Sequence, residues 1–95
     1  MSAVPFTIKM FSVYVLKSQV HERYYIGYSS HPQMRLHYHN AAKVRSTKAY
    51  IPYEIVYTEC FGSRGEAMRR EKELKRMKSG NQFVRLLRNQ GDSCA

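Results

Sequence analysis

Two segments rich in β-branched and aromatic residues, FSVYVLK (11–17) and RYYIGY (23–28), are separated by a short polar connection. This composition favours β-strands. A connection of this length predicts that the two strands pair as an antiparallel hairpin. The rest of the chain is therefore expected to fold around a small sheet in which these strands are neighbours.

A helix and a third strand are predicted to follow the hairpin. Proline suits the first turn of a helix, so a helix is expected to start at Pro32, with Ser30 or His31 as its cap. This helix is predicted to end near Ala41. The segment YEIVYTEC (53–60) alternates in polarity and is rich in β-branched and aromatic residues, which predicts the third strand.

The last third of the chain predicts two helices. The segment 63–80 is the clearest helix, because Ser63 and Glu66 have the spacing of a capping box and Gly80 stands where a C-terminal cap belongs. A final helix is predicted over 81–89. The resulting order, β-β-α-β-α-α, indicates an α+β fold with a three-stranded sheet.

Length and charge limit the domain count and the class of partner. With 95 residues the chain is predicted to be one domain, 1–95, with its core at about 10–80 and a frayed tail at 90–95. The formal net charge of +9, from 16 Lys and Arg against 7 Asp and Glu, suits a polyanionic partner such as nucleic acid. A basic protein without such a partner is the alternative.

Several classes of protein and of site are not expected. The chain has no stretch resembling a signal peptide or a membrane span, which favours a cytoplasmic protein without membrane contact. Cys60 and Cys94 lack metal-type spacing and are expected to be free thiols. A zinc site is not expected either, because His37 and His39 would point to nearly opposite sides of a helix.

A glycine interrupts the most aromatic part of the hairpin. Because side chains alternate between the faces of a strand, Tyr14, Tyr25 and Gly27 share one face, whereas Val13 and Ile26 belong to the opposite, apolar face. Glycine within a strand marks either close approach of a ligand or a bulge or strand end. The residues leave both interpretations open, the first being a gap beside two tyrosine hydroxyls.

Two helical positions also invite a functional interpretation. Arg35 and His39 are i,i+4 neighbours on the first predicted helix, where they form a functional pair or a solvated polar stripe. Glu71 lies on the apolar side of its helix, between Ala67 and Met68 in projection. A buried carboxylate needs compensation, which Lys75 at i+4 or a divalent metal would provide.

Taken in order, these residues resemble the two-part signature of the GIY-YIG nuclease superfamily. SVYVL followed by YYIGYSS resembles the signature itself, an arginine follows ten residues after its second tyrosine, and EAMRREKELK (66–75) resembles the helix that presents a metal-binding glutamate. The resemblance is closest to the small stand-alone bacterial proteins, which are similar to the nuclease domain of the bacterial excision-repair endonuclease. The matching positions are Val13, Tyr14, Tyr25, Ile26, Gly27, Arg35, His39 and Glu71.

The resemblance implies a central three-stranded antiparallel sheet flanked by helices. It also implies hydrolysis of nucleic-acid phosphodiester bonds with one Mg²⁺ or Mn²⁺ ion, held by Glu71, and a role in DNA repair. Because no aromatic-rich reading helix of a sequence-specific binder stands out, we expect a DNA endonuclease directed by structure rather than by sequence. Arg35 would face the non-bridging phosphate oxygens. A late asparagine found in many relatives has two candidates here, Asn81 and Asn89.

The proton acceptor has several candidates. Tyr25 is the first candidate for the general base, with Tyr14 orienting the water or the phosphate. His39 has the side-chain pKa best suited to proton transfer near neutral pH, so it is either the base itself or the acceptor of a tyrosine proton. Gly27 would leave space for the phosphate beside the tyrosines.

Basic residues of one loop and one helix are expected to grip nucleic acid through its phosphates. DNA is favoured over RNA, and a protein partner is a possible source of specificity. The alternative function is a nucleic-acid-binding module of the same fold that cleaves weakly or not at all. The expected phosphate contacts are Lys43, Arg45, Lys48, Arg69, Arg70, Lys72, Lys75, Arg76 and Lys78.

Overall fold

The structure, a computed structural model, describes residues 10–78 and 80–89. It contains three strands and three α-helices in the predicted order, which confirms the α+β fold and the sequence β-β-α-β-α-α. A short 3₁₀ turn, Lys48–Tyr50, lies in the loop before the third strand. The elements are β1 (Phe11–Ser18), β2 (Tyr24–Ser29), α1 (Pro32–Asn40), β3 (Tyr53–Phe61), α2 (Arg64–Met77) and α3 (Asn81–Asn89).

The sheet has the strand order β2-β1-β3, and both neighbours of the central strand run antiparallel to it. The predicted hairpin is therefore present, with Tyr14 directly opposite Gly27. On its other side Tyr14 lies opposite Thr58 of β3. An irregularity in the β1–β3 register falls between Val15 and Leu16, one residue beyond the tyrosine. Tyr14 thus occupies the middle of the sheet.

Both faces of β1 are buried, which explains why this strand has so few polar positions. On one face Val13, Val15 and Ile26 pack against the helices, with Leu74 of α2 and Phe83 of α3. The opposite face forms a second, smaller cluster around Tyr14, Leu16 and Tyr53. The alternation predicted from the sequence is confirmed, and it separates an apolar core from a tyrosine-rich face.

Local hydrogen bonds account for the helix boundaries. The side chain of Ser63 accepts a hydrogen bond from the backbone N–H of Glu66 at 3.2 Å, as the capping box predicts. The helix α2 ends at Met77, and the N–H of Gly80 donates to the Met77 carbonyl at 2.8 Å. At the start of α1 the capping residue is His31, whose side chain makes no capping hydrogen bond.

The chain reverses direction sharply after α1. Ala42 has a φ of 61°, in the left-handed region, and its N–H donates to the carbonyl of His39. Such a turn closes the end of a helix. Asn40 then joins α1 to β3, because its amide oxygen accepts from the N–H of Tyr53 at 2.7 Å and its amide group donates to the Tyr53 carbonyl at 3.0 Å. These contacts bring the loop 43–50 back over α1.

An ion-pair network connects α2 to β3 on the sheet face opposite Tyr14. Arg70 donates to both carboxylate oxygens of Glu59, at 2.9 and 3.0 Å, and to Glu73 at 2.9 Å. Tyr57 donates a hydrogen bond to Glu59 as well. Burial raises the pKa of Tyr57 to about 12, with help from Glu59. The expectation that Arg70 contacts phosphate is therefore wrong, since its guanidinium is occupied within the fold.

Two further expectations concern cysteines and membranes. The expectation of a free thiol at Cys60 is wrong, because this residue is disulfide-bonded. The corresponding expectation for Cys94 lies outside the described residues. Among residues 10–78 and 80–89, none of the helices combines the length and apolar character needed to cross a bilayer.

Candidate active site

Tyr14 lies at the centre of the candidate site, and Gly27 makes room for it. A Cβ atom at position 27 would lie 2.8 Å from the Tyr14 hydroxyl and 3.0 Å from the ring carbon that bears it. It would also lie 3.1 Å from the ring of Tyr25. The expected gap for phosphate beside the glycine is therefore filled by the phenol of Tyr14, because the two residues face each other across the strands.

We expect Gly27→Ala to lower the free energy of unfolding by about 1–3 kcal/mol, because overpacking a filled buried site forces the side chains apart. Urea denaturation measures this change. Gly65→Ala is the matched control, since nothing lies within 4 Å of the added Cβ and alanine favours a helix. Equal effects of the two substitutions would contradict the packing role of Gly27.

Arg35 provides the cation of the site. A side-chain hydrogen bond with Tyr14 raises the pKa of Arg35, so the guanidinium is fully charged. The guanidinium carbon also lies 5.6 Å from the centroid of the Tyr38 ring. No carboxylate forms an ion pair with Arg35 in the part of the chain that the structure describes. Its charge is therefore available to an anionic ligand.

The electrostatic environment of Tyr14 connects it to the helix α2. Burial raises the pKa of this phenol, and the hydrogen bond from Arg35 opposes that effect. The charges of Tyr25 and Glu71 raise the pKa further. Glu71 thus acts electrostatically on the tyrosine even though it belongs to a different helix from Arg35.

Tyr25 and His39 form an aromatic pair beside Tyr14. The ring centroids of Tyr25 and His39 are 4.5 Å apart, and those of Tyr14 and Tyr25 are 6.3 Å apart. His39 is fully buried, and it also contacts the ring of Tyr53 at 6.2 Å between centroids. Burial, followed by the positive charge of Arg35, lowers the pKa of His39. The imidazole is therefore neutral at pH 7.

Thr47 sets the tautomer of His39. The Nδ1 atom of His39 lies 2.8 Å from the Thr47 hydroxyl oxygen, and that hydroxyl donates to the carbonyl of Val44 at 3.3 Å. If Nδ1 carries the imidazole proton, it donates this proton to the Thr47 hydroxyl oxygen, and the hydroxyl donates its own proton to the Val44 carbonyl. In the other tautomer a buried Nε2–H would have none, because Nε2 has no hydrogen-bond partner in the described structure. The lone pair of the buried Nε2 is therefore free to accept a proton.

Glu71 is the candidate metal ligand. Its side chain is 17% exposed and forms an ion pair with Lys75 at 3.3 Å, the i,i+4 partner anticipated in the sequence. No cluster of three or more His, Cys, Asp or Glu side chains occurs within the described ranges. A single carboxylate still fits Mg²⁺, which commonly takes one or two protein carboxylates and fills its other positions with water and phosphate oxygens.

The comparison with known protein families agrees with this arrangement. A family model described as the GIY-YIG catalytic domain matches residues 10–82, from just before β1 into α3. The chain belongs to the GIY-YIG family. The resemblance seen in the sequence motifs is thereby confirmed, and the matched segment includes all five candidate catalytic residues of this GIY-YIG chain.

Relatives of the chain come from bacteria and archaea. It is 42% identical over 64 residues to the UPF0213 protein SH2523 of Staphylococcus haemolyticus, which covers 66% of this chain and 77% of the relative. It is 38% identical over 69 residues to the UPF0213 protein VNG_2274C of Halobacterium salinarum, covering 72% and 88%. The solution NMR structure of the UPF0213 protein BH0048 from Bacillus halodurans is 31% identical, covers 81% of this chain and 84% of that one, and has a TM-score of 0.49.

The GIY-YIG fold brings most of the predicted catalytic residues together. Tyr14, Tyr25, Arg35 and His39 form a continuous set of contacts, and the charge of Glu71 reaches Tyr14. Asn81 does not join them, because it lines a separate depression with residues of the Arg70 network. The side chain of Asn89, the second candidate, lies outside the described part of the structure. Eight of the nine expected phosphate contacts are exposed, namely Lys43, Arg45, Lys48, Arg69, Lys72, Lys75, Arg76 and Lys78.

Thr47 was not predicted from the sequence. It lies eight residues after His39 in a polar loop, and it reaches the imidazole only because the chain reverses at Ala42. It is 2% exposed. Its polar neighbours in sequence gave no indication of burial, so the residue pattern contains no signal that could have identified it.

Proposed function

We propose that this GIY-YIG domain is a metal-dependent endonuclease that hydrolyses phosphodiester bonds in nucleic acid, with DNA favoured and structure rather than sequence directing it. The observation that carries the proposal is the juxtaposition of a charged Arg35, without a carboxylate partner in the described structure, with Tyr14 and with a buried, neutral His39. A role in DNA repair, a cytoplasmic location, a single domain spanning 1–95 and a protein partner that adds specificity belong to the same proposal.

Arg35 and Tyr14 would bind the scissile phosphate. A guanidinium presents two parallel N–H donors, which match two non-bridging phosphate oxygens. The raised pKa of Tyr14 keeps its hydroxyl protonated, so it serves as a donor near neutral pH. Because both groups are held by the fold before substrate arrives, they stabilise charge that develops on the phosphate without having to reorganise.

Tyr25 and His39 would move the proton of the attacking water. The two rings are in contact, and the neutral imidazole of His39 has an unprotonated Nε2 that would take up the proton during catalysis. In this scheme Tyr25 is the general base. Its phenol would give a proton to His39 and would take one from the attacking water. His39 acting directly on the water is the alternative. A Tyr25→Phe substitution separates the two schemes, since only the first requires the phenol.

Glu71 would hold the divalent cation, Mg²⁺ or Mn²⁺, with its carboxylate. When bound, such a cation polarises a phosphoryl oxygen and supplies several kcal/mol of stabilisation. The position of Glu71, close enough to influence Tyr14, is what supports its assignment to the same site as Arg35.

Nucleic acid would be gripped by the exposed basic residues of the loop 43–48 and of α2. Their contacts would be to phosphates and would carry no base identity. With about five such contacts, log affinity should fall with log salt with a slope near −4 to −5. The net charge of +9 supports a salt-dependent interaction of this kind.

A nicking assay on supercoiled plasmid and on branched DNA tests the proposed function. Cleavage by the purified full chain is expected in Mg²⁺ or Mn²⁺ and should be abolished by EDTA. Cleavage that is insensitive to EDTA, or no cleavage of either substrate, would contradict the proposal.

The second candidate function is a nucleic-acid-binding module that does not cleave. The ion pair between Lys75 and Glu71 favours it, because this contact compensates the carboxylate without a metal. The two functions share salt-dependent binding. They differ in the nicking assay, where only an endonuclease gives cleavage that depends on a divalent cation.

We expect Thr47→Val to reduce kcat by about 10- to 100-fold, as the loss of a group that orients a catalytic side chain commonly does. Valine preserves the shape of threonine but leaves the Nδ1–H of His39 without an acceptor. Single-turnover cleavage measured across a range of pH checks the effect. Thr47→Ser should restore most of the activity, and a Thr47→Val enzyme with unchanged kcat and pH profile would contradict the tautomer assignment.

Lys75→Met should lower the Mg²⁺ concentration needed for half-maximal cleavage by about two- to fivefold, because the lysine competes with the cation for Glu71 and an ion pair whose lysine is exposed has about this strength. Lys72→Met is the matched control, since it removes the same charge from an exposed position of α2. Equal Mg²⁺ requirements for the two variants would contradict competition at Glu71.

A further inference from the structure

A cavity of about 610 Å³ adjoins the candidate active site. Its walls come from the start of β2, from the segment 46–50 and from the end of α2. Tyr25 and Thr47 contribute to the lining, but Tyr14, Arg35 and Glu71 do not. The cavity therefore lies beside the position proposed for the phosphate but does not include it. Six of its lining residues are Arg23, Tyr25, Thr47, Tyr50, Lys75 and Lys78.

A contact between the guanidinium of Arg23 and the ring of Tyr50 forms part of the wall. The guanidinium carbon of Arg23 lies 4.3 Å from the centroid of the Tyr50 ring, and Nη2 of Arg23 donates to the Tyr50 hydroxyl at 3.0 Å. The ring of His21 packs edge-on against Tyr50 at 5.2 Å between centroids. Guanidinium and aromatic planes are the surfaces on which proteins stack unpaired bases.

The charge of the cavity suits a nucleotide. Arg23 and Lys78 contribute cations that have no carboxylate partner in the described structure, Lys75 is paired with Glu71, and the carboxylate of Glu22 is paired with Lys17 at 3.6 Å. Its volume lies within the range of about 300–1,000 Å³ that is usual for small-ligand sites. A base within a duplex offers only its edge to a protein, whereas an unpaired base offers its flat face.

We propose that this cavity binds the base of an unpaired nucleotide of the substrate strand by stacking it against Arg23 and Tyr50. The further statement that this nucleotide flanks the scissile phosphate rests on the proposed function. The cavity then selects nucleic acids that have an unpaired nucleotide beside the cleavage position, and it discriminates by base pairing rather than by base identity.

The test uses the fluorescent base 2-aminopurine and needs no cleavage. The full chain is titrated, in EDTA, into a duplex that carries 2-aminopurine as a single unpaired bulge and into the same duplex with that base paired. Stacking is expected to quench the fluorescence of the unpaired base. The affinity for the bulged duplex should exceed that for the paired duplex by about 5- to 100-fold, as stacking of one base predicts.

Variants of Tyr50 and Arg23 complete the experiment. Tyr50→Leu should abolish the quenching and the preference for the bulge, whereas Tyr50→Phe, which keeps the ring, should retain both. Arg23→Ala should weaken the preference, and Arg85→Ala, which removes a charge from exposed α3 outside the cavity, should not. Circular dichroism verifies the fold of each variant.

Three results would overturn the proposal: unquenched 2-aminopurine in the wild-type complex, equal affinity for the two duplexes, or equal quenching by Tyr50→Leu and Tyr50→Phe. Because the readout is binding in EDTA, failure of the nuclease proposal would leave the quenching intact. Failure of the cavity proposal would likewise leave Mg²⁺-dependent nicking intact.

Discussion

Glu71→Gln is expected to reduce cleavage by about 10³-fold while leaving nucleic-acid binding at least as strong as in the wild type. The substitution keeps the shape of the side chain and removes the charge that would hold the divalent cation. A catalytic metal supplies several kcal/mol of transition-state stabilisation, and each 1.36 kcal/mol corresponds to a factor of ten in rate. Single-turnover cleavage at saturating protein measures the loss, and gel shift measures binding.

Glu66→Gln is the control for this variant. It removes the same charge from the same helix, but Glu66 is exposed in the first turn of α2. Its cleavage rate should remain close to that of the wild type. A Glu71→Gln protein that cleaves as fast as Glu66→Gln would contradict the metal-binding role of Glu71, whatever the activity of the wild type.

Arg35→Met is expected to lower kcat by about 10²- to 10³-fold, which is the usual effect of removing one preorganised group that stabilises developing charge. Its effect on affinity should be small, because one lost phosphate contact changes the salt slope by only about one. Arg35→Lys should recover only part of the rate, since an ammonium group cannot donate two parallel hydrogen bonds to the phosphate. Rates and salt titrations together separate these effects.

Arg45→Met serves as the comparison for Arg35. Arg45 is exposed in the loop 43–48, so its loss should weaken binding and leave kcat nearly unchanged. If Arg35→Met raised KM without lowering kcat, Arg35 would be one more phosphate contact. The catalytic assignment would then be wrong.

The sequence predicted the fold well because its signals are local. The short connection between the first two strands determined the hairpin, and the spacing of Ser63 and Glu66 located the start of α2. Alternation along β1 and β2 separated the apolar core from the tyrosine-rich face. Helical periodicity likewise placed Glu71 on the apolar side of α2, where its side chain is largely buried.

Contacts between distant segments account for what the sequence could not predict. Nothing near Arg70 indicated that Glu59, eleven residues earlier, would occupy its guanidinium. That the space beside Gly27 is filled depends on the cross-strand position of Tyr14. Thr47 reaches His39 only through the left-handed turn at Ala42. Each of these depends on how segments pack, which a pattern of residue types does not contain.

The Lys75–Glu71 ion pair does not decide between the two interpretations that helical periodicity gave for Glu71, a salt bridge to Lys75 or a metal site. The lysine compensates the partly buried carboxylate, yet its side chain is 54% exposed and can leave without disturbing the core. Because the lysine of this pair is exposed to water, the pair contributes little free energy. A divalent cation supported by substrate phosphates could therefore displace the ammonium group, which reconciles the observed contact with the proposed metal site.

The most direct test of the account is the position of Mn²⁺ in crystals of the protein bound to an uncleavable oligonucleotide, located by anomalous scattering. We predict a single peak within about 2.2 Å of a Glu71 carboxylate oxygen, in contact with a phosphate that also contacts Arg35. A Mn²⁺ peak at Glu59 and Glu73, or a phosphate bound at Arg35 with Lys75 still on Glu71 and no cation, would contradict it.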